Sequence, residues 1–238
     1  MIYIISLFLS LNTSIFSEIL QEERPLIIDL PENYNPEQAY DLIILLDGNW
    51  HLSDLREQAN RLQKENKMKP CIIVAVENID RERDFTVSKI QTKRENTTGG
   101  GRSFLGFLND ELLPYLGKNY KLTNHSTLIG HSLGGLLTLS AYFEKDSKFD
   151  AFLSIDPSIW WGETAMQEKV RAPYETKLYL ATANQGPDKE ERNKKRHEKI
   201  VNLINSSHVR WEYFETQNHQ SIPPYAMYAG LEYLNKNL

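Results

Sequence analysis

A single cysteine, Cys71, stands among the 238 residues, so no intramolecular disulfide can form. No Cys/His grouping has the spacing of zinc ligands, and no structural metal or other cofactor is expected. Basic residues are outnumbered, 27 Lys and Arg against 32 Asp and Glu. With a net charge of -5 there is no surplus to neutralise phosphates, which argues against nucleic acid as a partner. Repeats, low-complexity tracts and interdomain linkers are also missing. A hydrophobic fraction of 40% and a charged fraction of 25% are those of an ordinary soluble domain, expected to span residues 12–238.

Met1 to Leu11 is nearly all apolar, too short to cross a bilayer as a helix but long enough for the core of an export signal. It is expected to belong to such a signal, which would make the mature domain periplasmic or secreted, with no stable membrane insertion. Against this, no Lys or Arg precedes the core and no small-x-small cleavage site stands out. A buried first strand, or a start codon assigned too far downstream, is the competing reading, and the first of these would leave the protein cytoplasmic.

Apolar strand-like runs alternate with amphipathic stretches along the chain. Thr13–Leu20 and Pro25–Leu30 read as extended segments joined by the charged turn Gln21–Arg24. Asp41–Leu46, Cys71–Val76, Ser126–Ile129, Ala151–Ile155, Lys177–Thr182 and Val209–Phe214 read as further strands. Between them, helices are expected from a Ser53 cap to about Asn66, after Ser103, after Ser132, in the charged stretch from Asp188, and over Pro224–Leu234. Arg81–Arg102 is the longest irregular stretch. The alternation implies an α/β fold: a mostly parallel twisted sheet of about eight strands with helices on both faces. Active sites of such sheets lie beyond the carboxyl ends of the strands.

Gly130-His131-Ser132-Leu133-Gly134 follows one strand and opens one helix. Gly-x-Ser-x-Gly in that setting is a nucleophile elbow, a turn tight enough to strain its central residue and lift the serine hydroxyl above the sheet. The Leu133 N–H, at the helix start, then faces the same space and can receive an oxyanion. A second donor is expected from the loop after Leu46, where Gly48 allows close approach; Asn49 is assigned, with Gly48 as its substitute.

A serine hydroxyl needs a base, and six histidines compete. His125 and His208 precede strands, His197 sits in a charged helix and reads as solvated, and His131 is expected to point away from the nucleophile. His51 follows a strand but comes before the serine. His219, in the polar loop after the last strand, meets both the end-of-strand rule and the order nucleophile, acid, histidine. The acid is sought between Thr182 and His219. Asp188 comes first, Glu190, Glu191 and Glu215 follow, and Asp188 equally resembles a helix cap; a Ser-His dyad also stays open.

Leu46-Asp-Gly48, Asn78-Ile-Asp-Arg-Glu-Arg-Asp84, Asn109-Asp-Glu-Leu-Leu-Pro114, Gly130–Gly135, Asp156-Pro-Ser-Ile-Trp-Trp161 and His219-Gln-Ser221 together resemble the Putative esterase family of the α/β-hydrolase superfamily. That group holds esterase D-like enzymes and enterochelin-type siderophore esterases. The resemblance runs from Ile19 to the C-terminus and implies an α/β-hydrolase fold, Ser132 as nucleophile, His219 as base, and cofactor-free hydrolysis of a small-molecule carboxylic ester. The chain departs from it in carrying Gln217-Asn218 where a glutamate often precedes the histidine.

Trp50, Trp160 and Trp161 follow strand ends and are candidates for walls of a substrate pocket, or for core rim. Arg83, and Arg81 beside it, could meet an anionic siderophore-like ester or pair with Asp80 and Asp84; Lys89, Lys93 and Arg94 read as solvated. Ordinary strands and helices fill the interval from Ser132 to His219, with no separate lid, so a long-chain lipase is not expected.

Overall fold

Residues at alternate positions of a strand face opposite sides of its sheet, and the central strands here are apolar at both. In β3 (Tyr40–Leu45), Leu42 and Ile44 face one layer of helices while Ile43 and Leu45 face the other. The computed structural model describes residues 9–89, 97–162, 166, 168, 170 and 175–236, with the backbone alone for 187–192. Within it, β1 (Ser10–Ser17), β2 (Glu22–Asp29), β3, β4 (Cys71–Val76), β5 (Leu122–His131), β6 (Ala151–Ile155), β7 (Lys177–Ala183) and β8 (Val209–Phe214) form one eight-stranded sheet. The strand order is β1-β2-β4-β3-β5-β6-β7-β8, antiparallel at β1/β2 and β2/β4 and parallel from β4 to β8.

One face packs against α1 (Gly48–Lys64) and the C-terminal helix α7 (Ile222–Leu234), whose Leu55, Leu62, Met227 and Leu231 are buried on it. The other packs against a continuous helical run and two further helices. The run is α3 (Gly101–Gly106), a π-helical turn (Phe107–Leu112) and α4 (Leu113–Asn119). The others are α5 (Leu133–Phe143) and α6 (Pro187–Ile204). A short helix, α2 (Arg81–Phe85), follows β4. No helix among the described residues is long and apolar enough to cross a membrane.

Several boundaries differ from the sequence reading. α1 begins at Gly48, directly on β3, rather than after Ser53, because Asp47 turns the chain with a left-handed φ of 54°. The hairpin turn lies at Glu18–Gln21, so Glu22, Glu23 and Arg24 belong to β2, and Arg24 is fully buried instead of standing in a charged turn. Ser10 and Leu11, at the end of the apolar segment, pair in β1 with Asp29 and Ile28; Met1–Phe8 lie outside the described residues.

Candidate active site

Where β5 meets α5 the backbone leaves no room for side chains. A Cβ on Gly130 would stand 2.3 Å from the Gly134 carbonyl oxygen, and one on Gly135 2.8 Å from that of Ile155. Gly134 is looser, with 3.2 Å to Asp47 Oδ2 as its nearest contact, so Gly135, outside the five-residue motif, is more tightly constrained than the second glycine of the motif. Ser132 is held at φ 60° and ψ -116°, a conformation costly for a residue with a side chain. Its N–H donates to Ile155 O at 2.9 Å.

His219 reaches the serine from the loop after β8. Its Nε2 is 3.1 Å from Ser132 Oγ, and its Nδ1 is 2.5 Å from Asp156 Oδ2. The loop is fixed by the Asn184 N–H donating to Gln217 O and by the Asn218 side chain accepting from the Gln220 and Ser221 N–H groups. The carboxylate on His219 is therefore Asp156, at the end of β6, and not Asp188. In the sheet β6 lies between the serine strand and β7, so its carboxyl end faces the histidine loop as readily as that of β7 does. Asp188, Glu190 and Glu191 fall in the first turns of α6, where side chains lie outside the described residues. Glu215 is exposed, and its carbonyl accepts from Asn184.

Asp156 is fully buried and accepts from every side. Besides His219, Gln185 Nε2 donates to Oδ2 at 2.6 Å, and Oδ1 takes the Ala183 N–H at 3.1 Å and Asn193 Nδ2 at 3.4 Å. Burial alone would raise its carboxyl pKa, but the His219 hydrogen bond, the nearby His197 and the Ala183 N–H together hold it below the ordinary value. It is thus an anion at neutral pH, able to fix the Nδ1–H tautomer of His219 and leave Nε2 free to accept the serine proton.

One helix starts at the serine and another starts beside the elbow, where Asp47 Oδ2 stands 3.2 Å from the place of a Cβ on Gly134. The Leu133 N–H is the first of α5, and at α1 the Trp50 and His51 N–H groups donate to Asp47 O, which leaves those of Gly48 and Asn49 ahead of the first helical bond. The Asp47 carboxylate locks that corner, since Arg81 donates to it twice, at 2.8 and 2.9 Å, and Asn78 once at 2.5 Å. Arg81 also donates to His131 O at 3.3 Å, joining the α1 start to the elbow. Neither Asp47 nor this use of Arg81 is foreseen in the sequence. Their signal was a buried-strand end carrying an acid, Leu46-Asp47-Gly48, opposite another carrying a cation.

His131 does not point away from the site. Its ring centroid is 4.5 Å from that of His219 and 5.2 Å from that of His51. Burial, with the nearby charges of His219 and His51, pushes its pKa down to about 3, so it is neutral at pH 7. Burial also lowers His51, outweighing the pull of Asp47.

A cavity of about 610 Å3 opens over Ser132, walled by Trp160, Ser158 and the amides of Asn184, Gln185, Asn218 and Gln220. Trp160 is 57% exposed, whereas Trp161, stacked on it at 4.9 Å, packs against the core. Trp50 is equally exposed at the start of α1, under the Arg81 guanidinium, and is not among the residues lining this cavity. Arg83 is not available to a substrate. Its guanidinium is engaged by Glu22 at 2.5 and 3.1 Å and by Asp84 at 2.7 Å. Lys93 and Arg94 lie outside the described residues. A larger cavity, about 1090 Å3, lies at the opposite, amino ends of the strands, where Lys67 is paired with Glu65 and Glu232.

Comparison with known proteins agrees with this architecture. The chain is 29% identical over 164 residues to the ferri-bacillibactin esterase BesA of Bacillus subtilis, covering 60% of this chain and 56% of BesA. It is 35% identical over 81 residues to the siderophore triacetylfusarinine C esterase of Aspergillus fumigatus, covering 33% of this chain and 28% of that protein. The chain thus spans about half of BesA and less of the fungal enzyme. Among solved structures, an IroE-like serine hydrolase from Shewanella oneidensis superposes with a TM-score of 0.87 at 24% identity, over 96% of this chain and 80% of that one. The BES protein from Bacillus cereus superposes with a TM-score of 0.79 at 27% identity, over 94% of each chain. The fold is that of the α/β hydrolases, and the sequence profile of the Esterase family, described as Putative esterase, matches residues 17–216: the chain is a member of that family.

Proposed function

We propose that the protein hydrolyses carboxylic esters through an acyl-enzyme on Ser132. The observation that carries this reading is the unbroken line from Asp156 Oδ2 through His219 to Ser132 Oγ, with contacts of 2.5 and 3.1 Å. His219 Nε2 takes the hydroxyl proton as Ser132 attacks the ester carbonyl. The oxyanion is held by the N–H groups of Leu133 and of Asn49 or Gly48. Collapse of the intermediate expels the alcohol, which takes the proton from His219, and a water activated by the same ring then releases the acid. A hydrolase-fold binding protein without turnover is the weaker reading, because binding alone needs no carboxylate on His219.

A fluorophosphonate serine probe tests the assignment. Wild type is expected to be labelled and inactivated, and Ser132→Ala to be neither labelled nor active. Labelling that persists unchanged in the variant would exclude Ser132 as the nucleophile.

For the substrate, the names of the relatives support an ester within a siderophore, and the cavity supports a polar, amide-bearing ester with a flat group against Trp160. Trp160→Ala is expected to raise KM for aryl esters about tenfold while kcat changes by less than about threefold, the value of one lost aromatic face. Trp161→Ala is expected to lower Tm instead. A panel of p-nitrophenyl esters, feruloyl esters, and catecholate and hydroxamate siderophores, run on wild type and Ser132→Ala, decides the class. A siderophore role is abandoned if simple aryl esters are turned over with the highest kcat/KM.

A further inference from the structure

α6 is charged along most of its length, and His197 would be expected on its solvated face. The ring is instead fully buried, with both nitrogens bonded. Nδ1 is 2.7 Å from Thr182 Oγ1, and Nε2 is 2.8 Å from Pro157 O. A carbonyl has no proton to give, so Nε2 carries the hydrogen and donates. The neutral ring then accepts at Nδ1 from the Thr182 hydroxyl, and that oxygen accepts the Trp211 indole N–H at 2.8 Å. Burial keeps the His197 pKa below its ordinary value, in agreement with a neutral ring. Every proton in this relay is thus donated in one sense, and Pro157 O also accepts the Ile159 N–H at 2.8 Å.

Both partners of the ring flank the acid. Pro157 is the residue after Asp156, and Thr182 precedes Ala183, whose N–H donates to Asp156 Oδ1. Asp156 needs such support, since its φ of 39° is one that a non-glycine residue holds only when its surroundings impose it. The same turn carries Ser158. Its N–H donates to Ser132 O at 3.0 Å, and its hydroxyl lies 3.2 Å from Ser132 Oγ.

We infer that His197 is a positioning residue. Through the Pro157 carbonyl and the Thr182 hydroxyl it staples the 156–158 turn to the end of β7, and so sets where the Asp156 carboxylate and the Ser158 hydroxyl stand relative to His219 and Ser132. This rests on the reading of those residues as the reactive centre. The groups facing the His219 ring are Asp156, Ser132, Gln185 and His131; those acting on His197 are Asp156, Arg196 and His219.

The test uses the full chain and p-nitrophenyl butyrate, with kcat, KM and the low-field proton signal of the His219 Nδ1–H as readouts. A glutamine amide can donate to Pro157 O and accept from Thr182, so His197→Gln is expected to keep kcat within about threefold of wild type. His197→Met, similar in bulk but without polar ends, is expected to lose about 10- to 100-fold in kcat with little change in KM, as a small misplacement of catalytic groups does. A displaced carboxylate holds the His219 Nδ1–H less closely. The low-field signal should therefore move upfield, an effect that mere loosening of α6 would not produce. The inference is overturned if His197→Met keeps the kcat and proton signal of wild type, or if His197→Gln is as impaired as His197→Met. Should His197→Met fail to fold, the isosteric Thr182→Val removes the hydroxyl that orients the ring. It is expected to lower kcat about fivefold or more and to move the low-field signal in the same direction; wild-type values there would also overturn the inference. Turnover that survives in Ser132→Ala would sink the reading of the centre itself, which separates the two failures.

Discussion

Asp156→Asn is expected to lower kcat by about 10^3- to 10^4-fold with little change in KM, whereas Asp188→Asn leaves both within about twofold. The size follows from the donors around the carboxylate. Oδ1 faces the Ala183 N–H, which belongs to the backbone and cannot turn away. An asparagine must therefore set its oxygen there and its NH2 in the place of Oδ2, facing His219 Nδ1. Gln185 can rotate its amide to suit, but the imidazole can only respond by moving its proton to Nε2. That nitrogen then donates to Ser132 instead of accepting from it, and general-base catalysis is lost although the fold is intact. Steady-state kinetics on the three proteins, with circular dichroism as the check on folding, decide it. Retention of more than about a tenth of wild-type kcat in Asp156→Asn would remove Asp156 from the mechanism, and a comparable loss in Asp188→Asn would restore the acid to the end of β7.

The strands are legible in the sequence because each inner strand is a short apolar run bounded by turn residues, and the elbow because its glycines answer a backbone collision visible at Gly130 and Gly135. Ser132 is legible from the elbow motif, and His219 from its place beyond the carboxyl end of a strand together with chain order. Asp156 also lies beyond the carboxyl end of a strand, but the order nucleophile, acid, histidine points to the segment after β7 instead. Chain order does not say which strand ends adjoin in space, and the sheet order does. His197 and Arg24 fail for a different reason. Local polarity predicts exposure, but a polar side chain is buried whenever partners arrive from elsewhere to satisfy it, and those partners are 15 and 40 residues away for His197 and 60 for Arg24. Arg83 illustrates the converse. A cation near a strand end looks available to substrate until the carboxylates beside it are counted.

Arg24→Ala is expected to destabilise the fold by about 3–5 kcal/mol, read as a fall in Tm of roughly 10 °C for a domain of this size. The Arg24 side chain is wholly buried, between the rings of Phe104 and Phe107. It donates to Glu22 at 2.8 Å, to Asp84 at 2.9 Å and to Glu77 O at 3.2 Å. Arg83 closes the cluster on the same two carboxylates, giving two cations and two anions that tie β2 to α2. Removing Arg24 leaves a net buried charge. Asp84 is the member least able to bear it, because it is almost fully buried, and desolvation already lifts its carboxyl above the ordinary value against the pull of Arg83 and Arg24. Without Arg24 its folded-state pKa rises further above the unfolded one. The folded protein then binds a proton more readily than the unfolded chain, and stability falls as pH rises through that range. The deficit of Arg24→Ala relative to wild type should accordingly be larger at about pH 8 than at about pH 5. Arg24→Lys, which keeps the charge but not the forked donors, should lie between the two. Thermal melts at both pH values check all three statements, and a Tm within about 2 °C of wild type at the higher pH would mean that Arg83 alone satisfies the carboxylates. Because α2 also carries Arg81 to Asp47 and the elbow, the fraction of Arg24→Ala that remains folded reports on transmission to the site. Its kcat should stay within about threefold of wild type if the Asp47–Arg81 lock holds without the cluster behind it.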